Sequence, residues 1–455
     1  MNKNCCSPGR RSRAIQKVLI ALTVAIIICL ISVALALAIR NGRTDTEYDK
    51  DEILSNITAG YPEGAKNVTE ALIEWDFPKF NTKNLFNVEA YYNTVYVKKD
   101  ELPEKSILAK KVADLFLCEV WDNINVNDPD LVTEYLAACL IEAIGDKWGE
   151  YRNKNQQESF NADLSGELVG IGVIVSQSEE GIFVNSVIEN SPAHKSGITA
   201  NDIIVGVDGK RVLDIGYSNA TSLIRGEIGT SVLITVLRNG SETTFSIIRD
   251  KVTEVTVYGE MKDGNIGYIT ITRFKNNTAE QFKEVLNYLT ENGAKGIIFD
   301  LRSNPGGLLS AVTDILSLIA PTGTEIASFS NDKKAIYASQ GTVLEPEDSI
   351  YTLPAVVLIN EYTASAGELF TAAMRDFSKM GLLEVSIVGN TTYGKGVMQS
   401  TVSFPDGSAL TLTTAYYNPP LRVNYDGVGI EPTRKIADGE NIEEIAISEI
   451  EMLLR

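Results

Sequence analysis

Residues 18–39 read VLIALTVAIIICLISVALALAI, 22 positions without a charge. About 20 such residues cross the hydrocarbon layer as a helix, so the pattern predicts a transmembrane anchor there, behind a short tail at 1–17. Residues 40–84 are polar, rich in Asn, Asp and Glu, and read as a linker. A helical period follows over 85–160. Leu131, Tyr135, Cys139 and Ala143, with Val132, Leu136, Leu140 and Ile144, repeat every four residues and make a broad core-facing stripe. Asp128 and Pro129 suit the cap and first position of that helix, and Gly145 suits its end.

Over 165–250 the period shortens. GVIVS, GIFVNSVI, DIIVGVDG, SVLITVLRNG and TTFSIIRD read as strands between Gly, Asn, Asp and Pro turns, which predicts a compact β module. From 253 to 436 strands and helices alternate. NIGYITITRF is a strand, and Thr278 with Gln281 has capping-box spacing ahead of Phe282, Val285, Leu286 and Leu289. GIIFDL, AVVLIN and VSIVG are further buried strands, with helices over LLSAVTDILSLI and from Ser365 to Phe377. Such alternation implies βαβ units and a largely parallel sheet, with VSIVG beside AVVLIN. Residues 437–455 form a last helix with an apolar stripe that Glu449 interrupts. Packing onto its own core and dimerisation are both open for it. The fold class is α/β in an α+β multidomain chain: a transmembrane helix, a helical cap, an inserted β module, a mixed α/β core and a C-terminal helix.

Charge changes the picture only in distribution. The net charge is −19, and all 60 Asp and Glu residues lie beyond residue 43. Lys3, Arg10, Arg11, Arg13 and Lys17 precede the apolar span, while only Arg40 and Arg43 follow it closely, with Asp45, Glu47 and Asp49 just beyond. The positive-inside rule puts the N-terminus in the cytoplasm and the acidic body outside, as a single-pass protein of the cell membrane. A cleaved signal peptide, cut near Ala34-Leu35-Ala36, is the alternative; 22 residues is long for its apolar region. An acidic body argues against phosphate-backbone binding, which needs basic surface, so no nucleic-acid partner is expected. Of five cysteines, only Cys118 and Cys139 lie in the body. This is no disulfide framework and no zinc pattern, although one disulfide between them is open. With His194 the single histidine, an HExxH metal site is excluded; no metal and no cofactor are expected.

Three segments carry candidate chemistry. Asn360-Glu361-Tyr362-Thr363-Ala364-Ser365-Ala366-Gly367-Glu368 follows a strand and opens a helix. There a serine meets the positive end of the helix and free backbone N–H groups. Serine is also a favoured N-cap, so capping alone explains it equally well. Thr392-Tyr393-Gly394-Lys395-Gly396-Val397-Met398-Gln399 follows the VSIVG strand. Lys395 between two glycines is a candidate base, because desolvation brings a lysine toward the neutral form that base catalysis needs. Gln399, four residues on, either holds its amine or simply points to water. A solvated loop lysine is the alternative. In Asp300-Leu301-Arg302-Ser303-Asn304-Pro305-Gly306-Gly307, two glycines at a strand-to-helix turn offer N–H groups to an oxyanion, or simply make a tight turn.

Together and in this order these motifs resemble the carboxyl-terminal processing proteases, tail-specific serine peptidases of S41 type. Gly145-Asp146 after the cap helix and Leu164-Ser165-Gly166-Glu167 before the β module add to the likeness, which covers roughly residues 115–436. The resemblance implies a serine endopeptidase with Ser365 as nucleophile, Lys395 as general base and Gln399 as its orienting residue. It puts the backbone N–H groups of Ala366, Gly306 and Gly307 in the oxyanion hole, and makes Asp376 a structural support. Ser365 and Lys395 stand slightly further apart than the family pattern, with the extra length assigned to 378–384.

The β module resembles a PDZ domain. Gly170-Ile171-Gly172 matches its carboxylate-binding loop, and SPAHKSGITANDIIVGVDGKRV places His194 in the binding module, away from the catalytic motifs. The implied partners are protein substrates with flexible apolar C-termini, which would add to the module as an edge strand, and the membrane through 18–39. A homodimer and a regulatory adaptor are further partners left open. The competing reading is a catalytically silent PDZ scaffold, and against it stands the intact set Ser365, Lys395 and Gln399. An acyl-thioester-binding core of crotonase type would account for neither the PDZ likeness nor the anchor.

Overall fold

The computed structural model describes residues 48–330, 335–337, 353–437 and 439–455. The apolar span at 18–39 lies outside them. Among the described residues no helix is long and apolar enough to cross a membrane. The chain divides into two units. One holds residues up to 157 together with 169–252 and 401–412; the other holds 158–168, 253–400 and 413–455.

The helical region of the first unit begins earlier than the sequence pattern predicts. Lys50–Ala59 and Val68–Glu74 are helices, where a linker was expected. Their Asp and Asn residues are caps: Asp49 accepts from Asp51 N and Asn67 from Glu70 N. Ile53, Ile57, Val68, Ala71, Leu72 and Trp75 are buried with Val132, Leu136, Cys139, Leu140 and Ala143 of helix α1 (Pro129–Ile144), while Tyr135 of the expected stripe is exposed. That helix starts on the Asp128 cap with Pro129 in its first turn, and stops at Gly145, φ +87°. Cys118 is exposed and Cys139 is buried.

Helix α2 (Lys154–Ser165) leads toward the β module. There β1 (Val173–Gln177), β2 (Ile182–Val187), β3 (Ile203–Val207), β4 (Ser231–Arg238) and β5 (Ser241–Ile248) pair in the spatial order β1-β2-β3-β4-β5, with each neighbouring pair antiparallel. Strand β1 is an edge. The short helix α3 (Pro192–Ser196) carries His194, whose N–H is capped by Ser191 Oγ at 3.2 Å.

In the second unit β6 (Val257–Lys262) and β7 (Ile266–Ile271) form a hairpin. Then β8 (Gly296–Asp300), β9 (Ala355–Ile359), β10 (Val385–Gly389) and the pair Arg434–Lys435 add in parallel, each beside the strand before it. The expected neighbours, AVVLIN and VSIVG, are paired from Ala355↔Val385 to Ile359↔Gly389.

Every residue of β8 and β9 is buried because both sheet faces are covered. Ile297, Phe299, Val357 and Ile359 face helices α4 (Thr278–Glu291), α5 (Leu309–Ile319) and α6 (Ala366–Lys379). Ile298, Val356 and Leu358 face the other way, toward Ala446 and Ile450 of helix α7 (Ile442–Leu453). The capping box expected at Thr278 does not form. Thr278 Oγ1 accepts from Lys275 N at 2.8 Å, and Gln281 Oε1 reaches Thr256 N at 2.8 Å.

Candidate active site

Strand β9 ends at Ile359, and the chain turns through Asn360–Ala364 before α6 begins. Thr363, fully buried, fixes that turn: its hydroxyl donates to Leu301 O at 2.8 Å and accepts from Asn360 N at 3.0 Å. Ser365 stands at the cap position with φ +54° and ψ −116°. An ordinary N-cap lies in the extended region, and a non-glycine residue at positive φ costs on the order of 1–3 kcal/mol. A plain helix cap does not require that strain. Ser365 and Glu368 at the start of the helix stand in a capping-box arrangement despite that backbone.

Glu368, three residues on and fully buried, organises the site. Its Oε2 accepts from the backbone N–H of both Ser365 (2.9 Å) and Lys395 (2.8 Å). Its Oε1 accepts from Thr392 Oγ1 and Gly394 N, each at 2.6 Å. One carboxylate thus ties the serine turn to the lysine loop. Tyr393 N donates to Thr363 O at 3.0 Å and completes the seam. Lys395 Nζ donates to Gln399 Oε1 at 2.7 Å.

Two strands finish the site, β11 (Val397–Ser403) and β12 (Ala409–Asn418). Tyr417 on β12 donates to Lys395 O at 3.0 Å and lies 3.5 Å from Ser365 Oγ. Its one hydroxyl proton serves one of these two oxygens at a time. Burial pushes its phenol well above the usual range.

On the other side lies the glycine turn. Gly306 sits at φ +98°, and a Cβ there would stand 2.7 Å from Ser365 Cβ and 2.9 Å from Ala366 N. Only glycine allows that approach. Its N–H, however, donates to Asn304 Oδ1 at 2.8 Å, which corrects the expectation of Gly306 as an oxyanion donor. Gly306 gives room, while Gly307 and Ala366 have N–H groups without an acceptor among the described residues. The parallel bridge explains this for Gly307. Gly306 O and Leu308 N are both bound to Phe274, so the intervening N–H points the opposite way.

Residues 265–436 match peptidase family S41, and residues 169–248 match the PDZ domain. This is a serine-type peptidase domain of family S41. A probable CtpA-like serine protease of Staphylococcus haemolyticus is 35% identical over 300 residues, 66% of this chain and 58% of that protein. The carboxy-terminal processing protease CtpA of Bacillus subtilis is 36% identical over 297 residues, 65% of this chain and 61% of that protein. The chain therefore spans less than two thirds of the length of either relative. A putative S41 protease from Bacteroides fragilis has the same fold, with a TM-score of 0.51 at 13% identity over 80% of this chain and 96% of that one.

The S41 domain and the PDZ domain together make this a mixed α/β multidomain chain. In the PDZ domain the turn Gly170-Ile171-Gly172 immediately precedes edge strand β1. Gly172 takes φ +82°, and a Cβ there would meet Ser191 Cβ at 2.3 Å. The carbonyls of Ile171 and Gly172 are engaged by Ala193 N (2.7 Å) and Ile188 N (3.0 Å), within the module.

Asp376 is buried and accepts from Leu421 N at 3.0 Å, a support for the loop after β12. Glu368, Thr363, Asn304 and Tyr417 were not among the residues expected from the sequence. For Glu368 a signal existed, since Ser365-x-x-Glu368 has capping-box spacing. Tyr417, 52 residues from Ser365, left none.

Proposed function

We propose that this chain is a membrane-anchored serine endopeptidase that cuts proteins outside the cytoplasm after its PDZ domain has bound their C-terminal tails. The observation that carries the catalytic part is the shared oxygen of Glu368, which fixes Ser365 and Lys395 to one point while Gln399 orients the amine. Ser365 Oγ attacks the scissile carbonyl carbon as its proton passes to neutral Lys395 Nζ. The oxyanion falls to the N–H groups of Ala366 and Gly307. As the C–N bond breaks, Lys395 returns the proton to the leaving amine. Water, deprotonated by the same lysine, then attacks the acyl-enzyme and frees Ser365.

Substrate tails fit the PDZ domain as an added strand on β1, with the terminal carboxylate at Gly170-Ile171-Gly172. An apolar last residue suits the Ile171 end of that strand, next to the module's core. The anchor is residues 18–39, with the N-terminus in the cytoplasm.

The test is cleavage of an unfolded protein with an apolar C-terminus by residues 44–455, beside Ser365→Ala and Lys395→Ala. Cleavage by the wild type and silence of both variants is expected. Activity should also fall as the pH drops, because only the free amine accepts the serine proton; equal activity well below neutrality would remove lysine as the base. A wild type that binds tails but neither cuts nor reacts with a fluorophosphonate would turn the reading toward a PDZ scaffold.

A further inference from the structure

Lys275 is one of the largest fully buried side chains of the protein, 2% exposed, and the mechanism above does not use it. Its ammonium lies 2.9 Å from Asp163 Oδ1 and 2.5 Å from Glu254 Oε2. Asp163 is on α2, in the segment by which the chain runs into the PDZ domain; Glu254 is in the segment by which it leaves. These two segments also meet directly, Glu254 N donating to Gly166 O at 2.8 Å. The start of α4 grips both. Asn276 N donates to Leu164 O at 3.2 Å, Asn277 Nδ2 to Glu254 O at 2.9 Å, and Gln281 Nε2 to Glu254 O at 2.7 Å.

With the lysine buried and its partners partly exposed (Asp163 43%, Glu254 27%), the pairing is a poor source of net stability, since desolvation of the ammonium consumes most of the attraction. What it does well is decide which atoms meet. The residue beside Lys275 shows what is being decided. Phe274, fully buried, donates its N–H to Gly306 O at 3.0 Å and accepts from Leu308 N at 2.7 Å. Gly307 lies flat on it, so close that a Cβ would stand 2.0 Å from Phe274 O. The direction of the Gly307 N–H is thus set by the backbone of Phe274. Lys275 is the next residue along that backbone, and its ammonium holds Asp163 and Glu254.

We infer that Lys275 is a positioning residue for the oxyanion hole, clamping the two PDZ-connecting segments so that Phe274 holds Gly307 in its donating orientation. The inference rests on the peptidase reading for its kinetic consequence, but the clamp itself can be read without catalysis.

The experiment uses the chain 44–455 as wild type, Lys275→Met, Glu254→Gln and Asp163→Asn. The first keeps the stem and removes the charge; the other two keep side-chain volume, and serve if the first folds poorly. Rates are normalised to folded protein. For Lys275→Met and Glu254→Gln, kcat should fall at least 10-fold with KM within about twofold, and a peptide boronate, whose adduct needs the oxyanion donors, should bind at least 10-fold more weakly. Amide hydrogen exchange at Phe274 and Leu308 should accelerate about 10-fold relative to β9 in the same proteins. Unchanged exchange and boronate affinity in folded variants would overturn the inference. If exchange accelerates while the wild type neither cuts peptides nor reacts at Ser365, the clamp stands and the peptidase reading falls.

Discussion

At the scale of single residues, the site depends on groups whose hydrogen-bonding valence is fully used. Glu368 accepts four donors with two oxygens in a place without solvent. An amide at that position turns its NH2 toward donors, and at least one N–H loses its acceptor. We expect Glu368→Gln to cost about 2–3 kcal/mol of stability, the penalty for a buried unmet group. It should also lower kcat by about 10- to 100-fold with little change in KM, because serine and lysine lose their common tether. Urea unfolding with kinetics on the folded fraction measures both; a kcat unchanged beside a weakened fold would reduce Glu368 to an ordinary cap.

Asp202 in the PDZ domain shows the same logic with a pH readout. Burial pushes its carboxyl up, but the two 2.6 Å bonds from Arg238 and the N–H of Thr199 outweigh this and hold it below the usual range. A depressed folded pKa means the stabilisation is complete above the unfolded value of about 3.9 and is lost as the pH falls through the lower folded value. Protection of β2–β4 amides from exchange should therefore weaken below about pH 4. Asp202→Asn should flatten that slope and weaken protection at neutral pH.

At the scale of elements, helix α7 packs onto the chain's own sheet. Ala446 and Ile450 are buried on the chain's own sheet, and Gly296 lacks a side chain where Ile450 comes down: a Cβ there would stand 2.8 Å from Ile450 Cγ1. Glu449, which breaks the apolar stripe, accepts from Ser386 Oγ at 2.8 Å at the end of β10. Ile450→Ala should cost about 2–5 kcal/mol and leave the sedimentation coefficient unchanged. A shift in sedimentation without loss of stability would instead make α7 an interface.

Legibility followed the same physics. The buried strands and α1 were readable because period, cap and stop agree locally: Asp128, Pro129 and Gly145 each do what their residue type favours. The helices at 50–74 were hidden because their caps, Asp49 and Asn67, resemble linker composition. Thr278 and Gln281 had the right spacing for a capping box, but tertiary partners at Lys275 and Thr256 took their bonding capacity. Ser365 and Lys395 could be proposed from their neighbours. The bond that unites them passes through Glu368, and that contact exists only once β9 and β10 lie side by side.

At the scale of the molecule, the distribution of charge argues for where the chain resides. Every acidic residue lies beyond position 43, and the first 43 residues carry only Lys and Arg among their charges. The 22 uncharged residues at 18–39 separate a basic end from an acidic body. Moving that body to the cytoplasmic side would place the basic tail outside, against the charge bias that orients short segments. The proposed anchor and a cleaved signal peptide both export the body, yet they differ in what stays attached. With an uncleaved anchor, the full chain should sediment with membranes, resist extraction by high salt and carbonate, and keep its first 17 residues accessible only from the cytoplasm. Deleting 18–39 should leave the body in the cytoplasmic fraction. A mature chain that begins shortly after Ala36 and is released without detergent would replace the anchor by a signal peptide, with catalysis at Ser365 untouched by the change.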